Sequence, residues 1–404
     1  METVSRAINN IGDQKRSKLN VIQALRMNGP TSRIELTRIT GLSRATITFA
    51  INELIDSGLV RETKSRYSTG GRPATLLELA EYSRAIIGAD FSNRVWTVGA
   101  FDLIGNLIDE VIIPVEQETP QAVADSLIAR LPAFLKGLKV PPLELLGLGM
   151  PGLINANDGI IHSAADLGWF QVDIKHMMES KLKWPTVVIN RHKARGIAEI
   201  RAGVGRDYND IIYIGVGTGI ASGLFHQRTL ISGAIGGAGE LGHITIDPNG
   251  PSCPCGNHGC LQQLATGPAM EREARVLLRT GRTSSIYPDG SYDLQLIKAI
   301  DICRGADEQD ALCMEVVREA ATYLGIAIAN LVNILNPDVI ILGGYIPTHC
   351  DYYVEVAEEV VRQRAMSPLT SKIVVTKESN NIHGGALGAA NFAVDQNMGY
   401  SLFV

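Results

Sequence analysis

Apolar residues recur along this chain with two different periods, and the change of period divides it. Over the first sixty residues the spacing is helical. Leu19, Ile22 and Leu25, with Val21 alongside, form one apolar stripe that stops at Gly29-Pro30. A short second helix is predicted from Thr31 or Ser32 to Gly41. A third starts behind Ser43, a good N-cap, and buries Ile47, Ala50, Ile51, Leu54 and Ile55. Its opposite face carries Arg44, Ala45, Thr48, Phe49 and Asn52. The segment VRETKSRYSTGGRPATLLELA then reads as two strands around a polar, glycine-rich tip.

Beyond residue 82 the period changes. ELAEYSRAIIGADFSNRVWTVGAFDLIGNLIDEVIIPV holds three strand candidates separated by polar turns, followed by a helix near 120–137. Strands LLGLGMPGLI and TVVIN come next, then a helix near 192–203 and the strand–turn–strand DIIYIGVGTGIASGLFHQRTLISG. A long helix, Met314 to Leu335, leads to the strand DVIILGG, and the helix HGGALGAANFAVDQ follows. Strands alternating with helices predict α/β layers. Glycines just after strands (Gly152, Gly217, Gly219, Gly343, Gly344) let backbone approach a ligand closely, which points to a cleft between two β-rich halves.

Charge sharpens the first module. The 404 residues carry a net charge of −5, but residues 1–80 carry +5, leaving −10 on the remainder. A basic end on an acidic body suggests one nucleic-acid-facing module. Three helices and a hairpin match a winged helix-turn-helix, whose third helix enters the major groove. Ser43, Arg44, Ala45, Thr48 and Phe49 are the candidate DNA contacts there: arginine suits guanine, and Thr48 and Phe49 suit thymine methyls. Arg72, on the GGRP tip, is a candidate minor-groove probe. The same fold could dock a protein, and the charge asymmetry with the Arg/Thr face favours double-stranded DNA. The start METVSRAINNIGDQKRS has no apolar core of a signal peptide, and no apolar run approaches the roughly 18 residues of a membrane span. A cytoplasmic location is expected.

Two stretches carry chemistry. GELGHITIDPNGPSCPCGNHGCLQQ supplies His243, Cys253, Cys255 and Cys260, one imidazole and three thiols, the donor set of a closed, structural zinc site; His258 competes. In VVINRHKARGIAE, an apolar strand ends at Asn190 and three basic residues follow, where an α/β protein places its ligands.

These motifs carry a resemblance. GELGH…CPCGNHGC, GMPGLI, GVGTGI, NPDVIILGG and GALGAA together resemble the ROK family (repressors, uncharacterised frames and sugar kinases), and within it the NagC/XylR-type transcriptional regulators, over essentially the whole chain. The resemblance implies an N-terminal winged helix-turn-helix (1–81) followed by a two-lobed actin-like, hexokinase-type α/β fold. Residues 82–193 plus 384–404 would form the first lobe. Residues 194–383 would form the second, with the zinc loop and an oligomerisation surface for a homodimer or homotetramer. It implies a sugar in the cleft, with Asn190, Glu240 and His243 at family sugar contacts. Gln262 stands where an acid is expected, and Asp166 where an asparagine is.

The family's kinases need a glycine-rich turn Asp-x-Gly-Gly-Thr; here it reads Asp90-Phe91-Ser92-Asn93-Arg94. They need an Asn-Asp pair whose carboxylate is the general base; here it reads Asn190-Arg191, and arginine stays protonated. Only the far phosphate loop, Gly215 to Gly219, is intact. The chain is therefore expected not to be an enzyme. The expected function is a DNA-binding regulator, a repressor of carbohydrate-metabolism genes. The alternatives are a sugar kinase with a fused DNA-binding domain and a regulator controlled by a protein partner. Arg191 either grips an acidic effector, such as a sugar 6-phosphate or a uronate, or pairs with Glu240 or Asp166, or turns to solvent. His192 and Lys193 are expected to face solvent.

Overall fold

A computed structural model of the chain describes residues 16–67, 74–288, 293–379 and 383–401. The head contains helix α1 over 16–28, strand β1 (Thr31–Ser32), α2 (Arg33–Thr40), α3 (Arg44–Asp56), β2 (Val60–Tyr67) and β3 (Ala74–Leu79), with strand order β1-β3-β2. Side-chain caps set both later helix starts. Ser32 Oγ accepts from the Glu35 amide at 3.2 Å, and Ser43 Oγ from the Thr46 amide at 3.1 Å. The left-handed Gly41 ends α2. Helix α3 buries Ile47, Ala50, Ile51 and Leu54, with Ile55 half-buried at its end. The tip of the wing, including Arg72, lies outside the described residues.

The first body sheet takes β4 (Ala85–Ser92), β5 (Val95–Phe101), β6 (Leu107–Pro114), β7 (Pro142–Met150) and β11 (Thr186–Asn190), with α4 (Pro120–Gly137) and α5 (Ile174–Leu182) as connections. A small sheet of β8 (Leu153–Asn155), β9 (Ile160–Ala164) and β10 (Trp169–Val172) rises from its end. Helix α6 (Arg191–Ala202) leads to the second sheet: β12 (Ile211–Val216), β13 (Ile220–His226), β14 (Thr229–Leu230), β15 (Val339–Gly343) and β16 (Val374–Lys377). Between and after these strands come α7 (Gln262–Ala265), α8 (Gly267–Arg279), α9 (Ala299–Asp307), α10 (Ala311–Leu335), α11 (Tyr345–His349), α12 (Asp351–Arg364), α13 (Ser367–Thr370) and α14 (Gly384–Ser401).

The two sheets repeat one plan. The orders β6-β5-β4-β7-β11 and β14-β13-β12-β15-β16 both run third, second, first, fourth, fifth. In each, the first three strands form an antiparallel meander, and the fourth and fifth run parallel to the first. Among the described residues, no helix is long and apolar enough to cross a membrane.

Helices α14 and α6 pack on each other between the sheets, α14 on β4 and β7, α6 on β12 and β13. Close approach needs residues without side chains. A Cβ on Gly147 would overlap the Ala389 carbonyl, and one on Gly388 the Ala194 carbonyl. Squeezed from both sides, α6 buries its charges with partners. Arg195 holds Glu378 through two bonds of 3.0 Å, and Glu199 accepts from Ser379 N and Oγ at 2.9 Å each. Burial works against the Arg195 charge, but Tyr213, Glu378 and Asp90 outweigh it and raise its pKa.

The head docks on the far end of these two helices. Arg26 of α1, its side chain 1% exposed, donates to Asp395 of α14 at 2.8 Å and to Asn391 at 2.6 Å. Arg201 of α6 holds the other oxygen of Asp395 at 2.6 Å. One carboxylate therefore ties head, α6 and α14 together. Asp395→Asn is expected to loosen the head while leaving the cleft unchanged, raising amide exchange in α1 about tenfold, or about 1.4 kcal/mol. Unchanged exchange in α1, measured by mass spectrometry, would show that apolar packing alone holds the head.

Candidate functional site

A cleft of about 620 Å³ opens between the sheets, within the roughly 300–1,000 Å³ usual for small-molecule sites. Its walls include strand ends and the turns after them: Gly152, Gly217, Gly219 and Gly344 line it as expected, whereas Gly343 packs against Tyr213 and Glu378 instead. The structure brings Asp166, Asn190, Arg191, Glu240, His243 and Gln262 together on it. Asp166 is exposed on a one-turn 3-10 helix, Ala165–Leu167, beside the small sheet. Asn190 ends β11 and caps α6: its Oδ1 accepts from the His192 amide at 2.9 Å and the Lys193 amide at 3.3 Å, while Nδ2 donates to the Gly152 carbonyl at 2.9 Å. Its amide fixes where α6 begins and thus where Arg191 sits.

Glu240 and His243 ride on a segment pinned to β13. Gly239 is left-handed at φ 93°, and its carbonyl accepts from Ser222 N at 2.8 Å and Oγ at 3.0 Å. A Cβ there would overlap the Ser222 carbonyl, so glycine is required. Burial raises the Glu240 pKa, and Lys193 and His243 pull it back.

Three expectations about the basic stretch change. Arg191 pairs with neither Glu240 nor Asp166. Its Nη2 lies 3.6 Å from Asp90 Oδ2, at the end of β4, and Arg195 approaches the same oxygen at 3.9 Å. Asp90 is almost fully buried and its Oδ1 has no hydrogen-bond partner. His192 does not face solvent either. It lines the cleft with Nδ1 sealed against Gly215, and burial, with Arg191 and Arg195 adding repulsion, lowers its pKa well below the usual value. Lys193 is 4% exposed and donates its Nζ to the Gly236 carbonyl. The missed signal is the run of small residues around it, Ala194, Gly196 and Ala198, which marks a helix packed on two sides.

Next to the cleft, His243, Cys253, Cys255 and Cys260 bring one donor atom each within 4.8 Å of one another. His258 is exposed and outside this group. A tetrahedral ion about 2.3 Å from sulfur sets sulfur–sulfur edges near about 3.8 Å. Cys255 Sγ and Cys260 Sγ lie 3.7 Å apart, and Cys253 Sγ lies 3.8 Å from His243 Nδ1. The four residues fit a metal. Burial opposes ionisation of Cys253, but hydrogen bonds from Cys255, Cys260 and His243 draw its thiol down to about 7, while burial and the neighbouring thiols push Cys260 up to about 12. Gln262 joins the knuckle to the cleft, donating from Nε2 to Cys253 Sγ at 3.5 Å.

On the head, Ser43, Arg44, Ala45, Thr48 and Phe49 all lie exposed on one face of α3. Ser43 Oγ is engaged by its cap and by Thr46 Oγ1 at 2.8 Å. Thr48 Oγ1 donates to the Arg44 carbonyl at 2.8 Å, so its methyl group is what it can offer a base. Phe49 is 47% exposed, a large apolar surface with no partner in a solvated head.

A winged-helix head on a two-lobed α/β body with a cleft between repeated sheets defines the class: a DNA-binding module joined to a small-molecule-binding body. The comparisons give it a family. Residues 90–396 match the ROK family model, and residues 15–61 match a winged helix-turn-helix DNA-binding model. The chain is 28% identical over 381 residues to the xylose repressor of Bacillus subtilis, covering 93% of this chain and 94% of that protein. A ROK family transcriptional regulator homologous to the MLC protein of Escherichia coli superposes with a TM-score of 0.81 at 24% identity, covering 95% of this chain and 97% of the other. A ROK family glucokinase from Streptomyces griseus, solved with glucose and AMPPNP, superposes with a TM-score of 0.68 at 25% identity, covering 77% and 99%. The chain belongs to the ROK family, whose fold serves repressors and sugar kinases alike.

Proposed function

We propose that the chain is a cytoplasmic DNA-binding repressor of carbohydrate-metabolism genes, whose cleft binds a sugar or sugar-derived effector and performs no phosphoryl transfer. The observation that carries the second half is Arg191. A kinase needs a carboxylate beside the attacking hydroxyl. Here that place holds a guanidinium paired with Asp90, and no side chain that stays protonated can take the hydroxyl proton. The turn after Asp90 is a tight hairpin with Asn93 and Arg94 both left-handed, so it offers phosphate no glycine cradle.

In this reading residues 1–81 contact DNA through Ser43, Arg44, Ala45, Thr48 and Phe49, with Arg72 on the wing. Residues 82–193 plus 384–404 and residues 194–383 form the two lobes, and two copies read a palindromic operator. The metal is zinc, held by His243, Cys253, Cys255 and Cys260. It orders the loop so that Glu240 and the second ring nitrogen of His243 face the effector alongside Asp166, Asn190 and Gln262. Lobe closure then changes the position of the heads.

The test is selection of genomic fragments by the full chain, followed by affinity measurements on the enriched site. Arg44→Ala is expected to weaken that site by about 10–100-fold, as removal of a bidentate base contact does, with little effect on unrelated DNA. Enrichment of no common sequence would sink the reading. So would ATP turnover with a hexose panel.

A further inference from the structure

Two side chains that line the cleft, Arg191 and His192, and Asp90 behind them each hold a buried polar atom without a hydrogen-bond partner. Arg191 Nε is buried with nothing to accept from it, and the approach of its Nη2 to Asp90 at 3.6 Å is an ion pair longer than a hydrogen bond. Asp90 Oδ1 and His192 Nδ1 are likewise buried and unpartnered. Other cations nearby have partners: Arg195 holds Glu378, and Lys193 holds the Gly236 carbonyl. The Nε atom is closed to solvent, but the Arg191 side chain is 21% exposed and lines an open cleft, so its Nη groups are what it offers a ligand.

His192 adds a directed donor. Its ring is neutral, so one nitrogen carries a proton. Nδ1 is sealed against Gly215, where an N–H would find no acceptor. The proton is therefore assigned to Nε2, and His192 lines the cleft. Arg191 and His192 thus present donors and no acceptor. A sugar hydroxyl prefers mixed partners, because it donates as well as accepts. A group that only accepts matches this pair, and the two Nη groups of a guanidinium fit a planar two-oxygen group.

We infer that the effector carries a carboxylate, and that Arg191 and His192 receive it together. This rests on the reading of the cleft as the effector site. Charge selects a carboxylate over a phosphate ester. Arg191 already shares its charge with Asp90, and Asp166, Glu240 and Glu271 also line the cleft. Against these four carboxylates stand Arg191 and Lys298, so the site repels a dianion about twice as strongly as a monoanion. The predicted ligands are sugar acids: uronates or aldonates.

Titration calorimetry of the full chain with D-glucuronate, D-galacturonate, D-gluconate, D-glucose, D-xylose and D-glucose 6-phosphate tests this. At least one acid is expected to bind tenfold or more tighter than every neutral sugar and the phosphate ester. Arg191→Lys keeps a positive charge beside Asp90, which protects folding, but loses the two-donor edge. It is expected to weaken the acid at least tenfold and to weaken neutral sugars less. His192→Phe keeps the ring volume and is expected to weaken the acid several-fold. Circular dichroism melting establishes that both variants fold. A neutral sugar or the phosphate ester as tightest ligand, binding of none of the acids, or undiminished acid binding by Arg191→Lys would each overturn the inference. Operator selection by the head needs no ligand, so failure here is separable from failure of the repressor reading.

Discussion

Gly388→Val is expected to be one of the most damaging single substitutions in the chain, costing more than about 3 kcal/mol of stability. The clash is with backbone. A Cβ at residue 388 would overlap the Ala194 carbonyl of α6, and a carbonyl inside a helix has no rotamer to escape into. The branched side chain would drive α14 and α6 apart. On the opposite side, α14 cannot retreat, because its Ala386 and Ala389 carbonyls already lie against Gly88 and Gly147 of the first sheet. Urea unfolding should show a lower midpoint with a similar slope. A midpoint within about 0.5 kcal/mol of the unsubstituted chain would mean that the helix contact is looser than the structure shows.

Loss of the proposed zinc is expected to have the second large effect, on ligand binding more than on the head. Cys260 is buried and lies two positions before Gln262, where α7 begins. The unsubstituted chain is expected to carry about one zinc, and Cys260→Ser close to none, since a closed site needs all four ligands. Without the ion the thiolates repel one another, and the loop bearing His243 is released. Effector affinity should then fall at least about tenfold, or about 1.4 kcal/mol. Operator binding without effector should stay within a factor of about three, because the head shares no residue with the knuckle. Metal analysis and calorimetry on the same preparation check both halves. Full effector affinity in a metal-free protein would remove the ion from the binding site's architecture.

What the sequence made legible was local. Ser43 as a cap, the buried stripe of α3 and the spacing of His243, Cys253, Cys255 and Cys260 each concern residues within some twenty positions of one another. The side chains there have few alternatives, and the structure places them as periodicity and donor chemistry predict. The basic stretch after Asn190 was legible as unusual, but its pairing was not. The partner of Arg191 is Asp90, a hundred residues earlier, and that of Arg195 is Glu378, far later. Those contacts come from sheet order, which no local pattern encodes. Lys193 and His192 lie away from solvent, against expectation, for a related reason. A basic residue at a helix start is solvated when one face of the helix is free, and α6 has no free face there. The Arg26–Asp395 pair spans 369 positions and joins two modules, so composition gave no sign of it.

Helix α14 also sets an order of events during synthesis. Strand β4 leaves the ribosome early, yet the helix that covers it begins only at Gly384. At roughly 5–20 residues per second, tens of seconds separate Ser92 from Gly384. Through that interval one apolar face of the first sheet and the buried side of α1 wait without their cover, while the second sheet and its helices can assemble from neighbours close in sequence. A nascent chain that stalls before α14 would expose a completed metal knuckle beside an uncovered sheet, and its winged helix would lack the Asn391 and Asp395 anchors. Release of a functioning molecule is thereby tied to translation of Asp395, and chaperone demand should be greatest just before that residue emerges.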